Sequence, residues 1–262
     1  MRIKDWVRLW EEKVPLDLQD PWDKSGKQLG RFHEELKGIV FMLDLSLEGI
    51  ERASDLGANL IVSHHPLLFS PVQELLDQTY QGEMIFKLIE EGICVYSSHT
   101  PFDRVKGGVN DYIFEKLDFE IQGTLEEDER YHPLSNGLGV WTEIQPLPLR
   151  DLATFMKKKL DLPFVEFFGD DDKMIKRVGL VAGSGASYYV HALQKNCDLL
   201  ITGDIKYHTG QEALQEGICM MDICHDFLEE KALERMEEWS EIFAQGYSRG
   251  IYYNNRFYRK FV

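Results

Sequence analysis

Two adjacent histidines, His64 and His65, follow the short apolar run Asn59-Leu60-Ile61-Val62 and precede Pro66. The run reads as a buried strand, and the proline blocks an easy helical continuation, so the imidazoles fall where the strand stops. In open α/β sheets, ligands collect at the carboxyl ends of strands. Two neighbouring imidazoles there can point in different directions, so one backbone segment can serve two cations; the alternative is a turn with two solvated histidines. Two other segments share the placement. Ile93-Cys94-Val95-Tyr96-Ser97 leads into His99 and Asp103, and Ile218-Cys219-Met220-Met221-Asp222 leads into His225 and Glu229. His225 and Glu229 are spaced i, i+4, one turn apart on one face of a helix.

Imidazole and carboxylate together suit zinc, manganese or iron rather than calcium. His64, His65, Asp103, His225 and Glu229 exceed the three protein ligands of a usual catalytic zinc site. They suit two divalent cations about 3.5–4 Å apart, which lower the pKa of a shared water and polarise a carbonyl or phosphoryl oxygen. His99, Asp204 and His208 stand at neighbouring strand ends and are candidate orienting or proton-carrying catalytic groups. Each residue also has a plain structural reading. Asp103 can cap the turn at Gly107-Gly108, His225 can begin a helix, Glu229 can be a solvated helix charge, and His208 can face solvent. The joint placement of three groups at strand ends favours the metal.

The elements that must position these groups alternate. Ile3, Trp6, Val7 and Trp10 predict an amphipathic helix, and the proline- and glycine-bearing segment 14–30 reads as a loop. Gly38 to Asp44 reads as a buried strand, and Leu47 to Leu56 as a helix with Ser46 at its start and Gly57 at its end. A helix around Met84 to Ile89, closed by Gly92, and another marked by Val109, Tyr112, Ile113 and Leu117 flank the strand that ends near His99. Segment 118–147 is acidic and turn-rich, and is expected to carry the chain into its second half without chemistry of its own. Beyond it, a helix over Leu149–Leu160, a strand over Phe164–Phe168 and a strand over Arg177–Ala182 lead to Gly183-Ser184-Gly185. That turn lacks the third glycine of a dinucleotide fingerprint, since Tyr188 stands there, and reads as a tight turn before a helix over Ala186–Lys195. A strand over Leu199–Thr202, a helix from Lys206 to Glu216, the strand before His225 and a helix to about Trp239 complete the pattern. The expectation is an α/β fold.

With 262 residues, 44% of them hydrophobic, the chain can bury a substantial core. Its formal net charge of -16 repels phosphate backbones and argues against nucleic acid as a partner. Cys94, Cys197, Cys219 and Cys224 form no CxxC pair; three lie in or beside apolar runs, as buried thiols of a reducing, cytoplasmic compartment do. The charged N-terminal segment is no signal peptide, and no apolar run approaches the roughly 18 residues of a membrane span.

Across essentially its whole length the sequence resembles the Nif-three-like dinuclear-metal family, the GTP cyclohydrolase I type-two homologues. The resemblance rests on Asp20-Pro21-Trp22-Asp23 through Gly30, Leu43-Asp44, Leu60 through Phe69, Tyr96 through Thr100 with Asp103, Gly203-Asp204 with His208, and His225 with Glu229. It implies that His64, His65, Asp103, His225 and Glu229 bind two metals. It also implies two related α/β halves with mixed, mostly parallel sheets, about 1–124 and 125–262, in a single unit, and a homohexameric ring built as a trimer of dimers. Some relatives insert a domain mid-chain, for which 118–147 is too short. Lys24-Ser25, Pro101-Phe102, Cys224 and Leu228 depart from the family's usual residues without removing a ligand. The expected function is metal-dependent hydrolysis of a small polar, phosphorylated or nucleotide-like molecule. The rival is a metal-binding regulatory or scaffold ring without turnover.

Overall fold

The spacing of Ile3, Trp6, Val7 and Trp10 does produce a helix, α1 (Ile3–Lys13), and buries all four side chains. Trp6 and Trp10 stack with centroids 5.3 Å apart. A buried indole needs a partner for its N–H; that of Trp6 donates to Ser240 at 3.0 Å and that of Trp10 to Ser98 at 3.1 Å. The second bond anchors the residue next to His99. These details come from a computed structural model, which describes residues 1–128, 132–135 and 137–253. The chain divides into two units, one of Met1–Phe102 with the segment from Leu233 on, the other of Asp103–Ala232.

In the first unit, β1 (Gly26–Leu29), β2 (Gly38–Met42), α2 (Leu47–Asp55), β3 (Leu60–Ser63), α3 (Tyr80–Glu90), β4 (Cys94–Ser97) and the start of α4 (Thr100–Arg104), as far as Phe102, follow in order. Ser46 and Thr79 cap α2 and α3 through hydroxyls that accept from Gly49 and Gly82, each at 3.0 Å. The sheet runs β1-β4-β3-β2; β2, β3 and β4 are mutually parallel and fully buried, as continuous apolar runs require. Met42 pairs with Ser63 and Ser63 with Ser97, so three strands stop level. Asp44, His64, His65 and His99 therefore leave the sheet along one edge. Segment 14–30 is not all loop: β1 lies in it, antiparallel to β4. A four-residue edge strand carrying Lys27 and Gln28 has too weak an apolar pattern to stand out.

The second unit contains α5 (Val109–Lys116), β5 (Gly123–Glu127), β6 (Gly137–Pro148), α6 (Leu149–Lys159), β7 (Glu166–Phe168), β8 (Met174–Leu180), α7 (Tyr189–Gln194), β9 (Leu199–Thr202), α8 (Tyr207–Gln215), β10 (Cys219–Asp222) and the first turns of α9 (His225–Phe243), as far as Ala232. Its sheet runs β5-β6-β8-β9-β10-β7, with β8, β9 and β10 parallel at the centre and antiparallel strands outside. Leu180, Ile201 and Met221 share a register row inside one core cluster. The acidic segment 118–147 corrects the expectation of a turn-rich connection: it supplies β5 and β6. Leu125 is buried while Glu126 is half-buried and Glu127 exposed, and so polar a strand at a sheet edge resembles a turn. The helix expected over 186–195 is a 3-10 turn, Ala186–Tyr188, followed by the shorter α7. Beyond α9, β11 (Ser248–Tyr252) rejoins the first sheet, parallel to β2.

Cys94, Cys197, Cys219 and Cys224 are buried, and no disulfide joins them. Burial pushes the Cys197 thiol up to about 12, against the weaker opposing pull of Arg177, as suits a packing residue rather than a thiolate ligand. Among the described residues no helix is long and apolar enough to cross a membrane.

Candidate functional site

At the strand-end edge of the first unit, His64, His65 and His99 each offer a ligand-type nitrogen, all within 4.8 Å of one another. Every ring is fixed through Nδ1. His64 Nδ1 lies 2.9 Å from the Ser98 carbonyl, His65 Nδ1 2.7 Å from Asp44 Oδ1, and His99 Nδ1 2.8 Å from Asp23 Oδ1. Carbonyl and carboxylate oxygens only accept, so these bonds assign the proton to Nδ1 and leave Nε2 as the lone-pair nitrogen. Metal-ligating imidazoles are held in this way.

Asp23 is the anchor of this edge. Its carboxylate is buried and accepts from His99, from the Ser25 hydroxyl at 2.6 Å, and from the Thr100 hydroxyl and amide at 2.7 and 3.2 Å. Burial alone would raise its pKa. The hydrogen bonds from His99, Ser25 and Thr100, with the charge of His99, outweigh burial and hold the carboxyl well below the usual carboxylate range.

The second unit builds a matching group. His225 begins α9, and its Nε2 lies 2.8 Å from Glu229 Oε2, as the i, i+4 spacing predicts. Its Nδ1 is held by Asp204 Oδ2 at 2.9 Å, and Ser184 donates to the same carboxylate at 2.6 Å. Asp204, at the end of β9, adopts φ +55°, a left-handed conformation that turns its side chain back toward α9. Two glycines make room. A Cβ on Gly203 would stand 2.7 Å from the His225 amide nitrogen, and one on Gly183 would stand 2.3 Å from Glu229 Oε1. The Gly183-Ser184-Gly185 turn thus lets the backbone approach a buried carboxylate; no phosphate loop is needed to account for it. Gly183→Ala, also strained by its φ of +72°, is expected to displace Glu229. Chelator competition should then show metal affinity reduced about ten- to a hundredfold, the range for changes that disturb a ligand's support.

Asp103 lies in α4, and its carbonyl accepts from Asn110 Nδ2 at 3.0 Å, while Asn110 Oδ1 accepts from the Ala182 amide at 2.8 Å. The Gly107 amide donates to Asp111, the role Asp103 would have as a simple turn cap. His208, by contrast, is exposed at the start of α8 with its ring against Tyr207, and belongs to none of the metal-type groups among the described residues. The sequence expectation thus omitted Asp23, Asp44, Ser184, Asn110 and the two glycines. Asp23 and Asp44 had a signal: each stands in a block that resembles the family. Asn110 carried none, because an asparagine inside a helix shows nothing of the loop it braces.

Fold and site together define a class: an α/β protein with parallel-centred sheets whose strand ends present Nδ1-anchored imidazoles and a buried glutamate. A family model described as Duf34/NIF3 (NGG1p interacting factor 3) matches residues 1–247, and the chain belongs to that family. Proteins named GTP cyclohydrolase 1 type 2 homolog are similar throughout. That of Lactococcus lactis is 33% identical, with 86% of each chain covered, and that of Streptococcus pneumoniae is 32% identical, with 92% of each covered. Among solved structures, Staphylococcus aureus hypothetical protein SA1388 superposes with a TM-score of 0.91 at 28% identity, covering 100% of this chain and 99% of that one. A Bacillus cereus protein related to NIF3 shares the fold with a TM-score of 0.89 at 21% identity, covering 100% of this chain and 99% of its own.

Proposed function

We propose that this protein is a metal-dependent hydrolase in which His64, His65, Asp103, His225 and Glu229 hold two divalent cations of the zinc, iron or manganese type. One observation carries the reading: His64, His65 and His225 all have Nδ1 bound to a carbonyl or carboxylate, so each is oriented to offer Nε2. The donor set of imidazoles and carboxylates fits such ions. Glu229, 4% exposed, is a buried anion whose desolvation a cation would offset. When bound, a pair of divalent cations supplies Lewis acidity and an acidified water at neutral pH.

The chain's own groups divide the remaining work. Asp44 and Asp204 hold His65 and His225 in the ligating tautomer. Asp23 holds His99 with Nε2 turned to the His64–His65 pair, and His99 is the group we assign to carry a proton during the reaction. Asp204 contributes through His225 rather than by touching substrate, and no specific contact supports the same for His208. The substrate in this reading is a small polar or phosphorylated molecule of nucleotide type, which the names of the relatives support. Nucleic acid is disfavoured by the charge of -16. A cytoplasmic, ring-shaped homohexamer completes the reading.

The test is to reconstitute the full chain with zinc, iron or manganese, measure bound metal, and assay phosphoester, amide and nucleotide substrates. Metal-dependent turnover that chelation abolishes is the expected result. Stoichiometric metal with silence on every substrate, together with a tight protein partner, would replace this reading with that of a scaffold.

A further inference from the structure

Trp22 and Phe69 are large aromatic side chains left in the open beside the imidazole cluster. Trp22 is 55% exposed and Phe69 47%. Neither lies on a loose segment. The turn carrying Trp22 is tied at both ends: the Asp20 amide donates to the Thr100 hydroxyl at 3.0 Å, and Asp23 is the buried anchor described above. Phe69 follows Leu67, which is buried, and Leu68, whose amide donates to the Gln28 side chain at 3.1 Å. An indole presented on so constrained a backbone is not one that failed to find the core.

The geometry of the pair is open. The two ring centroids are 6.1 Å apart at 56°, a wedge rather than a closed stack. Trp22 also meets His99 edge to face at 5.7 Å, and His99 is in turn 5.2 Å from His64 and 5.5 Å from His65. A planar ring stacked on the indole would therefore lie beside the imidazole cluster, with His99 between the indole and the His64–His65 pair. Aromatic faces accept any flat heterocycle and are tolerant of its identity. The excess of negative charge gives no electrostatic reason for a phosphate to remain here unaided.

We infer that Trp22, with Phe69 at its side, is the specificity platform of the site: it stacks the planar heteroaromatic ring of the substrate and so presents the ring's polar substituents to the imidazole cluster. The inference rests on the metal reading above for what happens at the cluster, but the platform itself does not need the metal. A flat uncharged ligand should depend on Trp22 whether or not metal is bound, and a ring-free polyphosphate should depend on metal and be indifferent to Trp22.

The experiment measures calorimetric binding of guanosine, GTP and inorganic triphosphate to the full chain, metal-loaded and metal-stripped, for wild type, Trp22→Ala, Trp22→Phe and Phe69→Ala. Trp22→Ala is expected to weaken guanosine and GTP about tenfold or more, the scale of one lost base–aromatic stack, and to leave triphosphate affinity and metal content unchanged. Trp22→Phe, which keeps a ring, should recover most of that loss and guards against misfolding as the explanation. Equal affinities of wild type and Trp22→Ala for guanosine and GTP would overturn the platform. So would a Trp22 contribution to fluorescence, taken as wild type minus Trp22→Phe, that acrylamide cannot quench in the free protein, since another copy of the chain would then cover the indole. If instead metal never binds while guanosine still requires Trp22, the platform stands and the metal reading fails.

Discussion

Glu229→Gln is expected to strip the protein of metal while leaving it folded. The carboxylate is 4% exposed and stands 2.8 Å from His225 Nε2. Glutamine has the same shape, so the packing on α9 survives, but it removes the anion and places an amide that donates where a ligand must accept. Loss of a charged ligand should cost at least about a hundredfold in affinity, at or beyond the upper end of what supporting residues cost. Elemental analysis of purified protein should fall from about two metals per chain, the number a bridged pair requires, to one or fewer. Circular dichroism of the metal-stripped variant should match that of the metal-stripped wild type, because glutamine fills the same space on α9. Any hydrolytic activity should fall with the metal. Full metal content in Glu229→Gln would remove Glu229 from the ligand set.

The second large effect is on stability. Asp23→Ala removes a buried carboxylate that accepts from His99, Ser25 and Thr100, leaving those donors without it. Breaking a buried charged network at one partner costs about 3–5 kcal/mol, which denaturant unfolding of the metal-stripped protein would read directly. The pH dependence has a definite sign. The folded carboxyl titrates well below its ordinary value, so the unfolded state binds the proton more tightly. The stabilisation is therefore complete above the unfolded value of about 3.9 and disappears as pH falls toward the lower folded value. Wild type and Asp23→Asn should differ most near neutrality and converge in acid. A gap that stays constant from neutrality to strong acid would mean that the charge of Asp23 contributes nothing.

Much of this architecture could be read from residue order. Leu60-Ile61-Val62 and Leu199-Leu200-Ile201 are apolar on both faces, which only a strand covered on both sides tolerates, and both became central parallel strands. Ser46 is a helix cap by its chemistry wherever the chain goes. The His225–Glu229 contact follows from helical pitch alone. Strands at the edges were hidden for the converse reason. β1 and β5 bury only part of their surface, so their polar residues carry the signal of a loop.

What the sequence by itself determined is therefore the local inventory: which segments are strands or helices and which of them deliver imidazoles and carboxylates at their ends. Tertiary structure alone decided the company those groups keep. Asp23 reaches His99 across 76 positions, a pairing set by the register of β1 on β4, and Asp44 reaches His65 across 21, set by the level stop of β2 and β3. Beyond its left-handed φ, Gly183 is needed because Glu229, far along the chain, comes within 2.3 Å of where its Cβ would be. Hydrogen bonds and van der Waals exclusion act over a few ångströms of space, and distance along the chain carries no measure of that until the sheets have closed.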